Sequence, residues 1–356
     1  MAGSVLFLVP YPQKVAPSQR FRVELYEPVL KENNVRYEIK SFMDDDTWKI
    51  IFKSGHYFSK LSGILKGYLR RFGHVMQARK FDYVFIHRET SPLGPPIFEW
   101  ILAKVMGKKI IYDFDDAIWI PNISKANKAV RWVKAFWKVK HICRWSHMVT
   151  AGNDYLKQFA GNYTSNVILL PTCVDVERKH NKVKTYENTT LVIGWTGSHS
   201  TTFYLNNIVP VIKELQALND FRFVVIADKK PELSLDNWEF VQWNEATETE
   251  DLLKIDIGIM PLKPDAWSEG KCGFKLIQYM SCGIPAIADP IGVNKTIIDH
   301  GKNGFLCNTK AEWKEKLQLL LNDASLRVEF GRHGRQKIVN EYSIQSQTEK
   351  FMGLFR

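Results

Sequence analysis

The sequence predicts an α/β protein of two doubly wound parallel-sheet domains that face each other across a cleft. Its 356 residues exceed the usual size of one hydrophobic core, so two domains of roughly 150 to 180 residues are expected. In both halves, short apolar runs alternate with helical stretches, which is the pattern of open parallel sheets. The second half also carries two glycine-containing turns that lead into helices, as anion-binding loops do.

Composition and charge narrow the class of protein. Hydrophobic residues make up 45% of the chain and aromatics 13%, so both domains can bury a core. Lys and Arg total 49 against 38 Asp and Glu, and the formal net charge of +11 suits nucleic acid, an anionic membrane or an anionic substrate equally well. The five cysteines lack metal-ligand spacing, and their odd number argues against a disulfide framework.

Neither a secretion leader nor a membrane span is expected. Residues 1–4 run directly into a short apolar strand with no positively charged lead. No stretch approaches the roughly 20 apolar residues that a span needs. We therefore expect a cytoplasmic protein, either free or peripheral on the inner face of the cytoplasmic membrane.

The first predicted strand, Val5–Val9, is followed by a loop that delivers two arginines to a helix start. Arg20 and Arg22 allow two interpretations. One of them contacts a phosphate or an anionic acceptor, or both lie on a solvated helix start. A second strand is predicted at 35–39, ended by the acidic run 44–46.

Residues 47–81 contain no acidic side chain, and their basic residues alternate with large apolar ones. The basic residues are Lys49, Lys53, Lys60, Lys66, Arg70, Arg71, Arg79 and Lys80. This mixture is typical of a segment that lies on an anionic membrane. A pair of ordinary helices with cationic outer faces explains the pattern equally well.

Polar side chains follow the next two predicted strands, where open α/β sheets place their ligands. Strand 82–86 leads to His87, Arg88 and Glu89, and strand 109–113 leads to Asp115 and Asp116. The acids have no complementary His or second acidic cluster to complete a coordination sphere, so we expect no metal site here.

Residues 124–145 predict a helix with a basic face. Its basic residues are Lys125, Lys128, Arg131, Lys134 and Lys138, against Trp132, Val133, Phe136 and Trp137 on other faces. Such a helix is a strong candidate for membrane adsorption. The alternative is a core-packed helix with a solvated basic side. Because the basic runs belong to helices rather than to sheet faces, no nucleic-acid partner is expected.

A polar stretch with few apolar anchors marks the boundary between the domains. We predict a first domain at 1–170, a linker at 171–190 and a second domain at 191–342. The second domain opens with a strand, the turn at Gly197 and Ser198, and a helix at 203–218, which together describe an anion-binding nest. His199 is expected to be a hydrogen-bonding loop residue rather than a catalyst.

The second domain is organised around residues 269–294. A turn carrying Lys271 and Gly273 leads into a helix, which stops at Gly283 before the strand 284–288. Exposed N–H groups and the positive end of the helix dipole favour a phosphate at the helix start, where Lys271 and Lys275 add full charges. The predicted ligand of this site is a nucleotide diphosphate.

The run Gly270-Lys-Cys-Gly-Phe-Lys-Leu-Ile-Gln-Tyr-Met280 resembles the donor-site signature of the retaining GT-B glycosyltransferases of family 4. These residues are typical of the motif in the bacterial branch of the family that serves cell-surface polysaccharide and lipopolysaccharide biosynthesis. The resemblance is strongest from Leu191 to Ile298. It implies the GT-B fold, with two Rossmann-like domains, an acceptor bound on the first and a nucleotide sugar on the second. It also implies a last helix, at 343–356, that crosses back to the first domain.

The resemblance implies roles for individual residues. Asp115 and Asp116 stand where the family has a His-Asp pair at the donor sugar. The family's two glutamates fall at Gly270 and Gln278. Gly270 has no side chain to contact the donor sugar, a role left to Glu269 or Lys271, while Gln278 can still hydrogen-bond the ribose. In the family, the loop that corresponds to the one after Trp243 commonly binds the nucleotide base through backbone contacts.

Two groups of site residues follow. The catalytic candidates are Asp115, Asp116 and Lys275, and the donor-binding candidates are Gly197, Ser198, Trp243, Lys271, Cys272, Gly273, Phe274, Gln278 and Arg20. We expect Lys271, Lys275 and the amides around Gly273 to stabilise the departing diphosphate.

The implied reaction is a retaining, metal-independent transfer of a sugar from a nucleotide diphosphate sugar, a UDP- or GDP-sugar, to a glycan or lipid-linked glycan. No permanently bound cofactor is expected, and an anionic membrane is a further expected partner, through 47–81 and 124–145. The alternatives are a GT-B epimerase or phosphorylase, and a non-catalytic membrane- or RNA-binding protein with a degenerate nucleotide site.

Overall fold

A computed structural model describes residues 2–51, 53–121, 133–186 and 190–356. The chain divides into two compact units. Unit 1 comprises Met1–Thr172 and Gln347–Arg356, and unit 2 comprises Cys173–Ser346. The boundary between the two units falls inside the predicted linker, 171–190. Val174 and Val176 of that predicted linker are buried in a core cluster of unit 2.

Unit 1 contains a parallel sheet with strand order β2-β1-β3-β4-β5-β6. The strands are β1 Val5–Val9, β2 Tyr37–Ser41, β3 Tyr83–His87, β4 Lys109–Phe114, β5 Met148–Ala151 and β6 Val167–Leu169. Every residue of β1 and β3 is buried, as expected for a parallel sheet covered on both faces. The order reverses between β1 and β3, which is the switch point of a doubly wound sheet.

The helices of unit 1 connect these strands. They are α1 Pro17–Arg22, α2 Glu27–Glu32, α3 Asp45–Ile51, α4 Tyr57–Gln77, α5 Ile97–Trp100, α6 Lys138–Trp145 and α7 Asp154–Gly161. Short 3₁₀ segments at Glu24–Tyr26 and Ala78–Lys80 and a π-helical turn at Ile101–Val105 extend α1, α4 and α5. Asn153 caps α7, since its side-chain oxygen accepts the N–H of Leu156.

Unit 2 contains a second parallel sheet, with order β12-β11-β10-β7-β8-β9. The strands are β7 Leu191–Gly197, β8 Phe221–Ala227, β9 Glu239–Gln242, β10 Ile257–Met260, β11 Ala286–Ala288 and β12 Gly304–Leu306. Within the described parts of the chain, each sheet has six strands. The prediction of two doubly wound α/β domains is confirmed.

The helices of unit 2 cover both faces of this sheet. They are α8 Val209–Gln216, α9 Glu248–Leu252, α10 Ala266–Glu269, α11 Phe274–Ser281, α12 Asn294–Ile297, α13 Lys310–Asn322 and α14 Ala324–Glu341. Thr309 and Asp323 cap α13 and α14 through their side-chain oxygens. The last helix, α15 Ile344–Gly353, enters unit 1 at Gln347, where Phe351 stacks on Tyr26 with ring centroids 3.9 Å apart.

Three predicted elements differ from the observed ones. The second strand lies at Tyr37–Ser41 rather than 35–39, because Asn34 takes a left-handed φ of 53° and Val35 still bonds back to α2. The acidic run 44–46 begins α3. The predicted helix 203–218 is a 3₁₀ segment, His199–Asn207, followed by α8, since Pro210 favours a fresh helix start.

Candidate functional site

The start of α11 lies against the end of β7 in unit 2. Tyr279, on α11, accepts a hydrogen bond from the Thr196 N–H at 2.8 Å and donates to the Ile259 carbonyl at 3.3 Å. Gly273 precedes the helix with a left-handed φ of 65°, and an added Cβ would approach Ile297 Cδ1 to 2.3 Å. The turn therefore requires glycine, and an eight-residue helix begins directly after it, near the carboxyl edge of the sheet.

Lys275 and Gly197 are brought together at this edge. The Lys275 ammonium lies 5.0 Å from the centroid of the Trp195 ring, within cation–π range. An added Cβ at Gly197 would lie 2.8 Å from Lys275 Cε and 2.6 Å from Trp195 Cη2. The missing side chain at Gly197 thus leaves room for the lysine to lie across the end of β7.

The other candidates of the glycine-rich turns lie close by in the chain. Lys271 lies with its ammonium 5.0 Å from the Trp267 ring centroid, and Cys272 is buried. Ser198 shares a 2.7 Å hydrogen bond with Ser200. His199 forms hydrogen bonds, as predicted: its backbone N–H donates to Asp228 Oδ1 at 2.6 Å and its ring nitrogen contacts the other carboxylate oxygen.

Glu269, at the end of α10, forms a hydrogen bond with the loop after β11. Its carboxylate accepts the N–H of Gly292 at 2.9 Å. Gly292 has a left-handed φ of 54°, and an added Cβ would meet the Glu269 carbonyl oxygen at 2.7 Å. The Glu269 carboxylate is thus hydrogen-bonded to the backbone of unit 2.

Gln278 and Trp243 converge on a third residue, Glu248, that sequence reasoning missed. Glu248 Oε1 accepts from Trp243 Nε1 at 3.1 Å and from Gln278 Nε2 at 3.3 Å. Glu248 and Gln278 are both buried. These side chains come from the end of β9, the start of α9 and the middle of α11, so only the folded chain assembles them.

In unit 1, Asp115 and Asp116 share one arginine. Arg88 donates from Nε and Nη2 to Asp115 Oδ1 at 2.9 and 2.7 Å, and Nη2 also contacts Asp116 Oδ2. Arg88 itself has a left-handed φ of 61°. Burial alone would raise the pKa of Asp115, but the Arg88 guanidinium overrides it and holds that pKa well below its usual range. Both acids therefore sit in a charge-compensated cluster at the end of β4.

Beneath this cluster lies a buried group of polar side chains centred on Asp113. His87 Nδ1 lies 2.8 Å from Asp113 Oδ2, and His87 Nε2 lies 2.9 Å from Ser18 Oγ. Arg22 forms a buried ion pair with Asp113, and Thr150 donates to it at 2.7 Å. Burial would raise the pKa of Asp113, and the Arg22 charge lowers it below its usual value. Serine, histidine and aspartate are arranged as in a relay, but because the arginine compensates the aspartate, we interpret the group as a clamp that fixes α1 to the sheet edge.

Arg20 and Arg22 do not lie on a solvated helix start, so that alternative is wrong. Arg20 is 4% exposed and lies over the Phe21 ring, while Arg22 is 1% exposed. Among the described residues, no group of three or more His, Cys, Asp or Glu side chains is placed to hold a metal ion.

The segment 47–81 forms α3 and α4, and α4 carries an exposed apolar stripe. Its exposed large side chains are Tyr57, Phe58, Leu61, Leu65, Leu69, Phe72 and Met76. One predicted surface cation is buried: Arg71 donates to the carbonyls of Val9, Lys40 and Thr90. In the parts of the chain that the structure describes, no helix is both long and apolar enough to cross a bilayer.

The predicted helix at 124–145 is only partly described, since 122–132 lie outside the described residues. The described part contradicts one continuous helix, because Ala135 has a left-handed φ of 49° and α6 begins at Lys138. Lys138 was placed on the cationic face but is buried, with its ammonium 2.8 Å from Glu89. Trp137 remains half exposed, at 52%.

A family model described as Glycosyl transferases group 1 matches residues 187–323. This stretch is a glycosyl transferases group 1 domain. It covers most of unit 2, and it contains both glycine-rich turns together with Trp243, Glu248 and Gln278. The clusters around Asp113 and Asp115 lie outside it, in unit 1.

Solved structures with the same fold align along nearly the whole chain. Sucrose-phosphate synthase from Thermosynechococcus elongatus superposes with a TM-score of 0.70 at 10% identity, covering 99% of this chain and 98% of that one. HepE from Anabaena, solved with UDP and glucose, gives 0.69 at 13% identity and the same coverages. A glycosyltransferase from Rickettsia africae gives 0.67 at 15%, covering 99% and 97%. At these identities the likeness establishes the GT-B fold.

A short sequence match links the chain to one characterised relative. N-acetyl-alpha-D-glucosaminyl L-malate synthase of Bacillus anthracis is 30% identical over 73 residues, which cover 20% of this chain and 19% of that protein. The match therefore spans about a fifth of the relative.

Proposed function

We propose that the protein transfers a sugar from a nucleotide diphosphate sugar to a hydroxyl group of a glycan or lipid-linked glycan acceptor. The observation that carries the proposal is the edge of the group 1 domain where the start of α11, the Gly197 turn and the Lys275 ammonium meet. Backbone N–H groups, a helix dipole and a full positive charge at one place favour a phosphate group.

The proposed reaction breaks the bond between the anomeric carbon and the diphosphate oxygen, and it forms a bond from that carbon to the acceptor oxygen on the same face. The acceptor proton passes to the departing diphosphate, so configuration is retained without a protein nucleophile. Lys275, Lys271 and the N–H groups after Gly273 stabilise the charge that develops on the diphosphate. This charge stabilisation is independent of a metal ion.

Asp115 and Asp116 are proposed to accept hydrogen bonds from sugar hydroxyls. Arg88 supports this role, because it lowers the pKa of Asp115 and its guanidinium contacts both carboxylates, which holds them in one orientation. An ionised carboxylate accepts hydrogen bonds only, so it pairs with hydroxyl donors. Arg20 is buried at the start of this unit and is proposed as a further phosphate contact.

The donor is proposed to be a UDP- or GDP-sugar. Support for UDP comes from HepE, whose structures contain UDP, UDP with glucose, or UDP-glucose. A role in cell-surface polysaccharide or lipopolysaccharide assembly is proposed from the motif resemblance.

We also propose that α4 contacts an anionic membrane. Leu65 and Leu69 are 55% and 76% exposed, and Phe58 is 90% exposed, on a 21-residue helix without acidic side chains. Lys66 is exposed beside them. An apolar stripe with cations and no anions fits a lipid surface of negative charge. Such a contact suits a lipid-linked acceptor.

The test is to incubate the full chain with UDP-glucose, UDP-N-acetylglucosamine and GDP-mannose, with and without a glycan acceptor, and to measure release of nucleoside diphosphate. We expect release from one donor, faster with acceptor and undiminished by EDTA, with retained anomeric configuration in the product by NMR. A protein that releases none of the nucleotides under any condition contradicts the proposal.

A further inference from the structure

Glu248, on which Trp243 and Gln278 converge, has no role in the proposed transfer. A buried carboxylate, 7% exposed, accepts two hydrogen bonds on one oxygen from side chains of two other elements. Burying a carboxylate is unfavourable unless donors compensate it, and here an indole and an amide do so. Such an arrangement fixes the position of a negative charge.

Two members of the cluster, Trp243 and Glu248, lie in segments that further hydrogen bonds hold in place. Trp243 continues the sheet edge, since its N–H donates to the Ala227 carbonyl at 2.9 Å. Thr249, next to Glu248, donates from Oγ1 to the Lys179 carbonyl at 3.0 Å. The carboxylate is therefore held in place before any ligand binds, so the protein loses less side-chain entropy when a ligand contacts it.

The cluster lies beside the phosphate-binding end of the same helix. Gln278 is five residues after Gly273, which is about 7.5 Å along the axis of α11. A nucleoside diphosphate whose phosphates meet the start of α11 is long enough to reach this point with its ribose. Carboxylates that recognise ribose hydroxyls beside a phosphate-binding helix start are a general solution in α/β nucleotide sites.

We infer that Glu248 is the carboxylate that accepts the ribose hydroxyls of the donor nucleotide, and that Trp243 and Gln278 position it. The inference rests on the proposed function, because it takes the phosphate site at Lys275 as given. It assigns ribose recognition to α9, with Gln278 acting through Glu248.

The same geometry explains why an amide stands at position 278. A carboxylate there would lie about as close to Glu248 as the present 3.3 Å, and two negative charges at that distance repel strongly in a buried site. An amide instead donates to Glu248. Glu248 and Gln278 are therefore a matched pair, and the charge and the amide should be exchangeable between the two positions.

The experiment measures binding of UDP, GDP and ADP, of their 2′-deoxy forms and of inorganic pyrophosphate to the full chain by calorimetry. We expect the wild-type protein to bind one ribonucleotide at least about tenfold more tightly than its 2′-deoxy form, the value of one charge-assisted hydrogen bond. Glu248→Gln should bind both forms equally, with pyrophosphate affinity unchanged within about twofold. Its unfolding temperature without ligand serves as the folding control.

Two more variants keep the test informative if Glu248→Gln is poorly folded. Gln278→Glu should weaken binding of the ribonucleotide, and the double variant Glu248→Gln/Gln278→Glu should regain the preference for ribose. If Glu248→Gln still prefers ribose, or if the double variant does not regain the preference, the inference is overturned while the proposed function stands. If the wild-type protein binds no nucleoside diphosphate, both fail.

Discussion

Lys275 combines two kinds of contact at the edge of unit 2. Its ammonium lies 5.0 Å from the Trp195 ring centroid, and its stem crosses the space that a side chain at Gly197 would fill. A long flexible side chain loses rotamer freedom when it binds an anion. The aromatic ring and the turn restrict the lysine beforehand, so less freedom is lost when a diphosphate arrives.

Replacing Lys275 by Ala should weaken binding of a nucleoside diphosphate roughly 10- to 100-fold, because one charge-assisted hydrogen bond to phosphate is lost. The unfolding temperature should change little. The control is Lys310→Ala, an exposed lysine at the start of α13. Calorimetric titration decides, and equal affinities for the two variants would refute the role of Lys275.

At the scale of single residues, the sequence predicted which positions need glycine, but it did not predict which distant side chains form hydrogen bonds with one another. Gly273 and Gly283 were expected at turns, and both have left-handed φ values, because a turn imprints its need for glycine on the local sequence. The bonds from Gln278 to Glu248 and from Arg22 to Asp113 join residues 30 and 91 positions apart. Such pairs leave no signal in a single sequence.

Among the elements, α4 shows how one helix serves two environments. Its inner face packs closely at two glycines, since added Cβ atoms at Gly63 and Gly67 would lie 2.3 Å from Thr47 and 2.6 Å from Phe42. Its outer face carries the apolar stripe. The alternation of basic and apolar residues along 47–81 allowed a pair of helices with cationic outer faces, but it did not show that Arg71 is buried.

Arg71 joins α4 to the sheet of unit 1 by hydrogen bonds to three backbone carbonyls, in β1, in β2 and after β3. Burial lowers its pKa to about 9, so it stays protonated at neutral pH, and it donates to carbonyls of Val9, Lys40 and Thr90 at 2.6 to 3.0 Å. Arg71→Leu should lower the free energy of unfolding by about 3 kcal/mol or more, since three carbonyls lose a charged donor. Arg70→Leu removes only the half-exposed pair with Asp44 and should cost less than about 1 kcal/mol. Urea unfolding compares them, and equal costs would contradict this account.

The exposed stripe of α4 gives a second prediction at this scale. The double variant Leu65→Glu/Leu69→Glu should reduce binding to vesicles of anionic lipid at least about tenfold, because it removes apolar contact and adds negative charge. Leu218 of unit 2 is 68% exposed, between Leu65 and Leu69, and Leu218→Glu should bind like the wild-type protein. Vesicle co-sedimentation measures this, and unchanged binding by the double variant would exclude α4 as the membrane contact.

The whole molecule follows from the alternation of strands and helices, which predicted two doubly wound sheets because each parallel pair requires a crossover. The strand orders depend on contacts between distant residues, and local patterns do not encode them. The return of the chain into unit 1 at Gln347 was expected only from the family resemblance. The break at Ala135 was missed for a similar reason. Nothing in the neighbouring residues announces a left-handed alanine, which only tertiary packing imposes.

The most direct test of the account is thermal stabilisation of the full chain by UDP, GDP, ADP, CMP and dTDP, each with and without magnesium. A ligand at a hundred times its Kd stabilises a protein by about 2.7 kcal/mol, which is readily measured. We predict a clear rise in unfolding temperature with one nucleoside diphosphate, and the same rise without magnesium. If none of these nucleotides shifts the transition, the group 1 domain does not bind a nucleotide donor and the account is wrong.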